Sequence, residues 1–151
     1  MKKLLVLMLA VLLLLSACAE ENGANIEDDA GISVDLQITE RFFVAQTNEI
    51  YGNPDRYLGS TIRIEGLFLA TTFMDEDFHY VIRFTEGCCT ATEPIGFELY
   101  LGDFAPPVND AWVDVIGVLG RHVDDRNFEV LRLEVISLTE TTERGAEFVS
   151  Q

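Results

Sequence analysis

The chain predicts a mainly β fold, a small five-stranded OB-like barrel with an N-terminal helix, and three observations carry that expectation. Apolar and polar residues alternate in five segments between Ile62 and Val135, the period of two of a strand with a buried face. Turn-rich loops separate these segments, the layout of small barrels and sandwiches. Glycines interrupt the first and fourth segments, Gly66 and Gly117, where long strands must curl to close a barrel.

The chain opens on a leader. Met1, Lys2 and Lys3 are followed by an apolar run over 4–15 and by Leu15-Ser16-Ala17-Cys18. That run falls short of the roughly 20 apolar residues a spanning helix needs and reads as a cleavable secretory segment, 1–17. Leu-Ser-Ala-Cys resembles the lipobox of bacterial lipoproteins. The resemblance implies a diacylglycerol on the Cys18 sulfur, cleavage before Cys18, and an acylated chain held at the extracytoplasmic face of the envelope, since two acyl chains anchor stably where one does so marginally.

Both lysines lie in the leader, so the mature chain sets eight arginines against 26 acids and carries a formal charge of −18. A nucleic-acid partner is thereby disfavoured, because phosphate binding is driven by Lys and Arg, and so is an electrostatic grip on anionic lipid. Residues 18–31, with Glu20, Glu21, Glu27, Asp28 and Asp29, read as a disordered acidic tether, and 141–151 as a disordered tail. The domain is expected over 32–140.

Within it, 34–38 reads as a short entry strand. Thr39 is positioned to cap a helix over 40–51 that buries Phe43, Thr47 and Ile50 and ends at Gly52. Asn53-Pro54 then opens a single turn with Gly59 as its exit. The strands follow: Ile62 and Ile64; Tyr80, Ile82 and Phe84; Ile95, Phe97, Leu99 and Leu101; Val113 and Val115; Leu131, Leu133 and Val135. Of the aromatic residues Phe42, Phe43, Phe73, Phe78, Phe104 and Trp112, most are assigned to the core and the rest to contact.

Several segments resemble the soluble C-terminal domain of the YcgQ-type subunits of a bacterial permease family, the YcgQ/YcgR pair. They are Ile50-Tyr51-Gly52-Asn53-Pro54-Asp55-Arg56-Tyr57-Leu58-Gly59, Ile62-Arg63-Ile64-Glu65-Gly66, Arg83-Phe84-Thr85-Glu86-Gly87-Cys88-Cys89-Thr90-Ala91 and Trp112-Val113-Asp114-Val115-Ile116-Gly117. The resemblance implies an extracytoplasmic OB-like domain and a link to an envelope transporter. Two departures stand out: a lipobox replaces the family's transmembrane helices, and Thr90-Ala91-Thr92 follows the Cys pair where the family tends to place an acid.

With Cys18 acylated, Cys88 and Cys89 are the remaining cysteines. Three readings stay open for them: buried small hydrophobes or a strained vicinal disulfide, ligands of a soft metal such as zinc or copper, or thiol redox chemistry. Strands that alternate in direction bring the loop after the fourth strand to the same end as the Cys pair. The candidate metal set is therefore Cys88, Cys89 and His122, with Asp124 or Asp125 as fourth ligand; His79 is too far along its strand at about 3.3 Å per residue. Met74-Asp75-Glu76-Asp77 lacks the EF-hand pattern and reads as a solvated turn. No nucleophile elbow, phosphate loop or dinucleotide fingerprint is present, so catalysis is not expected. The expected function is a lipid-anchored extracytoplasmic accessory or binding module beside an envelope transport system, with no resident cofactor. The alternative is a metal-handling lipoprotein that uses the Cys88-Cys89 pair.

Overall fold

A computed structural model describes residues 26–27, 31–86, 92–123 and 127–150. Two short strands, β1 (Ile26–Glu27) and β2 (Ser33–Val34), pair antiparallel by their backbones, so the expected tether is not wholly without structure. Asp35 interrupts the expected entry strand: its N–H donates to the Thr61 carbonyl at 2.9 Å and its Oδ2 accepts from the Thr61 N–H at 2.8 Å. The chain resumes as β3 (Leu36–Ile38), parallel to the first barrel strand.

The expected helix begins as a 3-10 turn, Glu40–Phe42, and continues as α1 (Phe43–Gly52), burying Phe43, Val44, Thr47 and Ile50 on one stripe. Thr39 does not cap it through its side chain. Instead Gln46, inside the helix, reaches back: its Oε1 accepts the Thr39 N–H at 3.0 Å and its Nε2 donates to Gln37 O at 3.1 Å. Asn53 likewise does not cap the Pro54–Arg56 turn through its side chain; its Nδ2 donates back to Glu49 Oε1 at 3.1 Å.

Five long strands follow: β4 (Thr61–Phe73), β5 (Glu76–Glu86), β6 (Thr92–Tyr100), β7 (Trp112–Val123) and β8 (Glu129–Glu140). Their order β4-β7-β8-β6-β5 closes through a β4–β5 pairing, with β6 and β8 parallel and the other barrel pairs antiparallel. The fold is the small OB-like barrel expected. β4 closes it by changing partners: Thr61–Leu67 pair with β7 and Leu67–Phe73 with β5. The switch occurs at Gly66, where a Cβ would lie 2.5 Å from the Ile82 carbonyl oxygen; only glycine admits that approach.

Ile62, Ile64, Phe68, Val81, Phe97, Leu99, Val113, Val115, Leu119 and Leu133 fill the barrel, and Phe43, Val44 and Ile50 of α1 join the same core. The second strand differs from expectation. Val81 is its barrel residue, whereas Ile82, with Tyr80 and Phe84 beside it, joins Leu67 and Trp112 in a separate apolar cluster. Both faces of β5 are covered, so alternation could not say which one is inside. Among the six aromatics, Phe43 and Trp112 are buried while Phe42, Phe73 and Phe104 are exposed.

The tail is the clearest correction. Expected to be disordered, it packs on the barrel over 141–150, and β9 (Phe148–Val149) pairs parallel with β5 at Phe84 and Thr85. Arg83 holds it there. This side chain is 2% exposed and spans three segments: Nε donates to Glu65 O at 2.9 Å, and one terminal nitrogen donates to Ala146 O at 2.9 Å and to Glu40 Oε2 at 3.0 Å. Its guanidinium carbon lies 5.0 Å from the Phe43 ring centroid and 4.8 Å from that of Trp112. Glu40 also accepts the Ala146 N–H at 2.8 Å. That backbone bond, followed by the one from Arg83, holds the Glu40 carboxyl below the usual carboxylate range. The β5 edge beyond Ile82, which β4 leaves because its residues up to Gly66 pair with β7, is thus filled by the tail, which answers the unpaired-edge problem there.

Candidate functional site

Of the residues predicted to form a site, Cys18, Cys88, Cys89, Asp124 and Asp125 lie outside the described residues. His122 lies inside, opposite Val130 near the tip of the β7–β8 hairpin. Among the described residues no three His, Cys, Asp or Glu side chains gather to hold a metal. His79 sits near the start of β5, an unbroken strand from Glu76 to Glu86, and its ring stacks on Phe68 at 5.6 Å.

His122 and His79 instead share the wall of a groove of about 610 Å³. It crosses β5, β6 and β8 and is bounded by the start of β5 (Glu76, Asp77) on one side and the β7–β8 hairpin (His122, Val130) on the other. Its floor is made of outward-facing residues. Tyr80 lies opposite Glu98 on the β5–β6 ladder, and Glu98 is level with Arg132 on the β6–β8 ladder. Tyr100, half exposed, carries the Arg132 guanidinium over its ring at 4.6 Å. Asp77 accepts the Thr72 hydroxyl at 2.7 Å, bracing the hairpin end.

A smaller chamber of about 270 Å³ adjoins the groove, with Tyr80, Glu98 and Val130 lining both. Its far wall comes from Tyr51, at the end of α1, and from Leu69, Ile82 and Pro94. Tyr51 lies flat on Phe97, with centroids 5.3 Å apart and 6° between planes, and its hydroxyl donates to Gly96 O at 2.9 Å. Gly96 belongs to this geometry, because a Cβ there would fall 1.9 Å from the Val81 carbonyl oxygen. Burial first, then the Glu98 charge and Tyr80, push the Tyr51 phenol up to about 12. Tyr80 is raised for the same leading reasons, burial and then Glu98.

OB barrels bind ligands on the face of their second and third strands, between the loop joining strands one and two and the loop joining strands four and five. With β4 as strand one, the groove occupies that place. Sequence reading passed over Tyr51, Tyr80, Glu98, Tyr100 and Arg132. The available signal was three tyrosines and a guanidinium near outward positions, which strand alternation alone had put among core or solvated residues.

The family model of the DUF1980 C-terminal domain matches residues 16–149. No curated protein matches. Among solved structures, the N-terminal domain of PriB protein from Thermoanaerobacter tencongensis is 13% identical, covering 55% of this chain and 97% of that one with a TM-score of 0.31.

Proposed function

The chain belongs to the DUF1980 C-terminal domain family, and from that premise we propose that it is a lipid-anchored binding module on the extracytoplasmic face of a bacterial envelope. It works beside an envelope transport system and holds its ligand in the groove over β5, β6 and β8. The groove is the observation that carries the reading: a concave site of ligand size, at the place where OB barrels bind, lined by aromatic rings and by charges of both signs. The lipobox-like Leu15-Ser16-Ala17-Cys18 supports the anchor, and the four segments similar to YcgQ-type subunits support the transport link. The mature charge of −18, eight arginines against 26 acids, favours neutral or cationic ligands over anionic ones. The domain's part in this reading is recognition rather than catalysis.

Two measurements test it. Palmitate labelling of cells producing the full chain is expected to tag it, with the label lost in Cys18→Ser. A photo-crosslinker in place of Tyr100 is expected to yield an adduct with a membrane transport protein, while the same group in place of Glu140, outside the groove lining, yields none. An unlabelled chain, or equal adducts from both positions, overturns the reading.

A further inference from the structure

Glu98 and Arg132 lie level on the β6–β8 ladder in the floor of the larger groove, so neither charge stands alone there. Even a bidentate pair between them leaves N–H donors on the guanidinium and lone pairs on the carboxylate. The guanidinium also rests over the Tyr100 ring, 4.6 Å from its centroid, and braces it. Tyr100 is 52% exposed all the same, so much of that ring is open to the groove it lines. The imidazoles of His79 and His122 add ring nitrogens from the two sides, and the Tyr80 phenol adds a hydroxyl. The groove thus sets one flat apolar surface among hydrogen-bond donors and acceptors.

That chemistry selects by elimination. OB barrels take oligonucleotides and oligosaccharides on this face. A nucleic acid needs Lys and Arg to neutralise its phosphates, whereas the groove sets Arg132 against Glu76, Asp77 and Glu98 in a strongly acidic chain. An apolar ligand would strip water from these groups and return no hydrogen bond. A bare metal ion finds no cluster of three ligands among the described residues. A sugar meets the conditions together. Each of its hydroxyls both donates and accepts, and the C–H face of a pyranose packs flat on an aromatic ring. At about 610 Å³ the groove lies within the roughly 300–1,000 Å³ of small-molecule sites, which suits a chain of a few sugar rings. We propose that the groove binds a short neutral oligosaccharide, with Tyr100 as stacking platform and Glu98, Arg132, His79 and His122 as partners of its hydroxyls. The proposal deepens the reading of this groove as a ligand site and rests on it.

The test is calorimetric titration of the full-length chain in a polyoxyethylene detergent, which carries no sugar. Maltotriose, cellotriose and chitotriose are the probes, with a short thymidylate oligonucleotide as comparison. At least one trisaccharide is expected to bind saturably, and the oligonucleotide not to bind. Tyr100→Ala is expected to weaken the bound sugar by about threefold to tenfold, the size of one aromatic contact, with the urea midpoint unchanged. Arg132→Gln is expected to weaken it about tenfold, the size of one hydrogen bond to a charged group. Phe42→Ala removes an equally exposed ring outside the groove lining and should leave binding unchanged. Binding of chitotriose alone assigns the acetamido sugars of a wall glycan, and maltotriose or cellotriose binding as tightly assigns a free solute. No saturable trisaccharide, binding of the oligonucleotide instead, or an affinity in Tyr100→Ala no lower than in Phe42→Ala overturns the proposal. If it falls while the Tyr100 adduct still forms, the groove reading stands; if both fail, both are wrong.

Discussion

Replacing Arg83 by methionine tests whether one buried cation ties helix, barrel and tail together. Methionine keeps most of the volume between Phe43 and Trp112 but removes the donors to Glu65 O, Ala146 O and Glu40. The bond to Glu65 O is the costliest to lose, about 1.5–3 kcal/mol for a charged donor. Glu40 is 53% exposed and Ala146 is exposed, so both regain water and add at most about 1 kcal/mol. The two ring contacts add about 0.5–2 kcal/mol each. Relief of guanidinium desolvation, several kcal/mol, works in the opposite direction. The expected net loss is about 3 kcal/mol, a large part of the roughly 5–15 kcal/mol of a whole domain. With a urea slope of about 1–3 kcal/mol/M, the midpoint falls by about 1–3 M. Trypsin cleavage after Arg144 should accelerate as the tail detaches. Arg83→Lys keeps the charge without the planar fork and should recover less than half of the loss. Arg56→Met serves as control: its pair with Glu49 is 3.4 Å long and 73% and 46% exposed, worth at most about 1 kcal/mol. A midpoint within about 0.3 M of the parent, with trypsin cleavage unchanged, would refute the argument.

Gly96→Ala places a Cβ 1.9 Å from Val81 O, so β5 and β6 must part; a loss of about 3 kcal/mol by urea unfolding is expected, and a loss under about 1 kcal/mol would show that the ladder yields freely. Acid should loosen the tail. The Glu40 carboxyl is held below its ordinary value of 4.5 by the Ala146 N–H and then Arg83, so its contribution is present above that value and is lost as pH falls through the lower folded one. Hydrogen exchange at Ala146 should accelerate over that window, and Glu40→Gln should remove the pH dependence; an unchanged dependence in that variant would assign it elsewhere. Metal analysis of the full chain purified without chelator or reductant should find no stoichiometric zinc or copper. Stoichiometric metal that disappears in Cys88→Ser/Cys89→Ser would instead put metal handling first.

The five barrel strands were legible because alternation such as Ile62-Arg63-Ile64-Glu65 is local: each residue's face follows from its neighbours. Gly66 was legible as a bend, though not as the point where β4 exchanges β7 for β5. The fate of Arg83 was hidden, since a charged residue within a strand reads as solvated until Phe43, Trp112, Glu40 and Ala146 are known to surround it. The tail misled for a related reason. Its composition is polar, and its order comes from the β5 edge that β4 leaves unpaired. The adjacency of Cys88 and Cys89 drew attention to one loop, while the groove was assembled from positions 79, 80, 98, 100, 122 and 132 with no common motif. By itself, then, the sequence determined the number of barrel strands, most of their inward faces and the acidic charge, all of which depend on composition or near neighbours. Tertiary structure alone decided which side chains meet. Barrel closure and strand stagger are set by long-range packing, through close approaches such as Gly66 to Ile82 and Gly96 to Val81, and no local period encodes them.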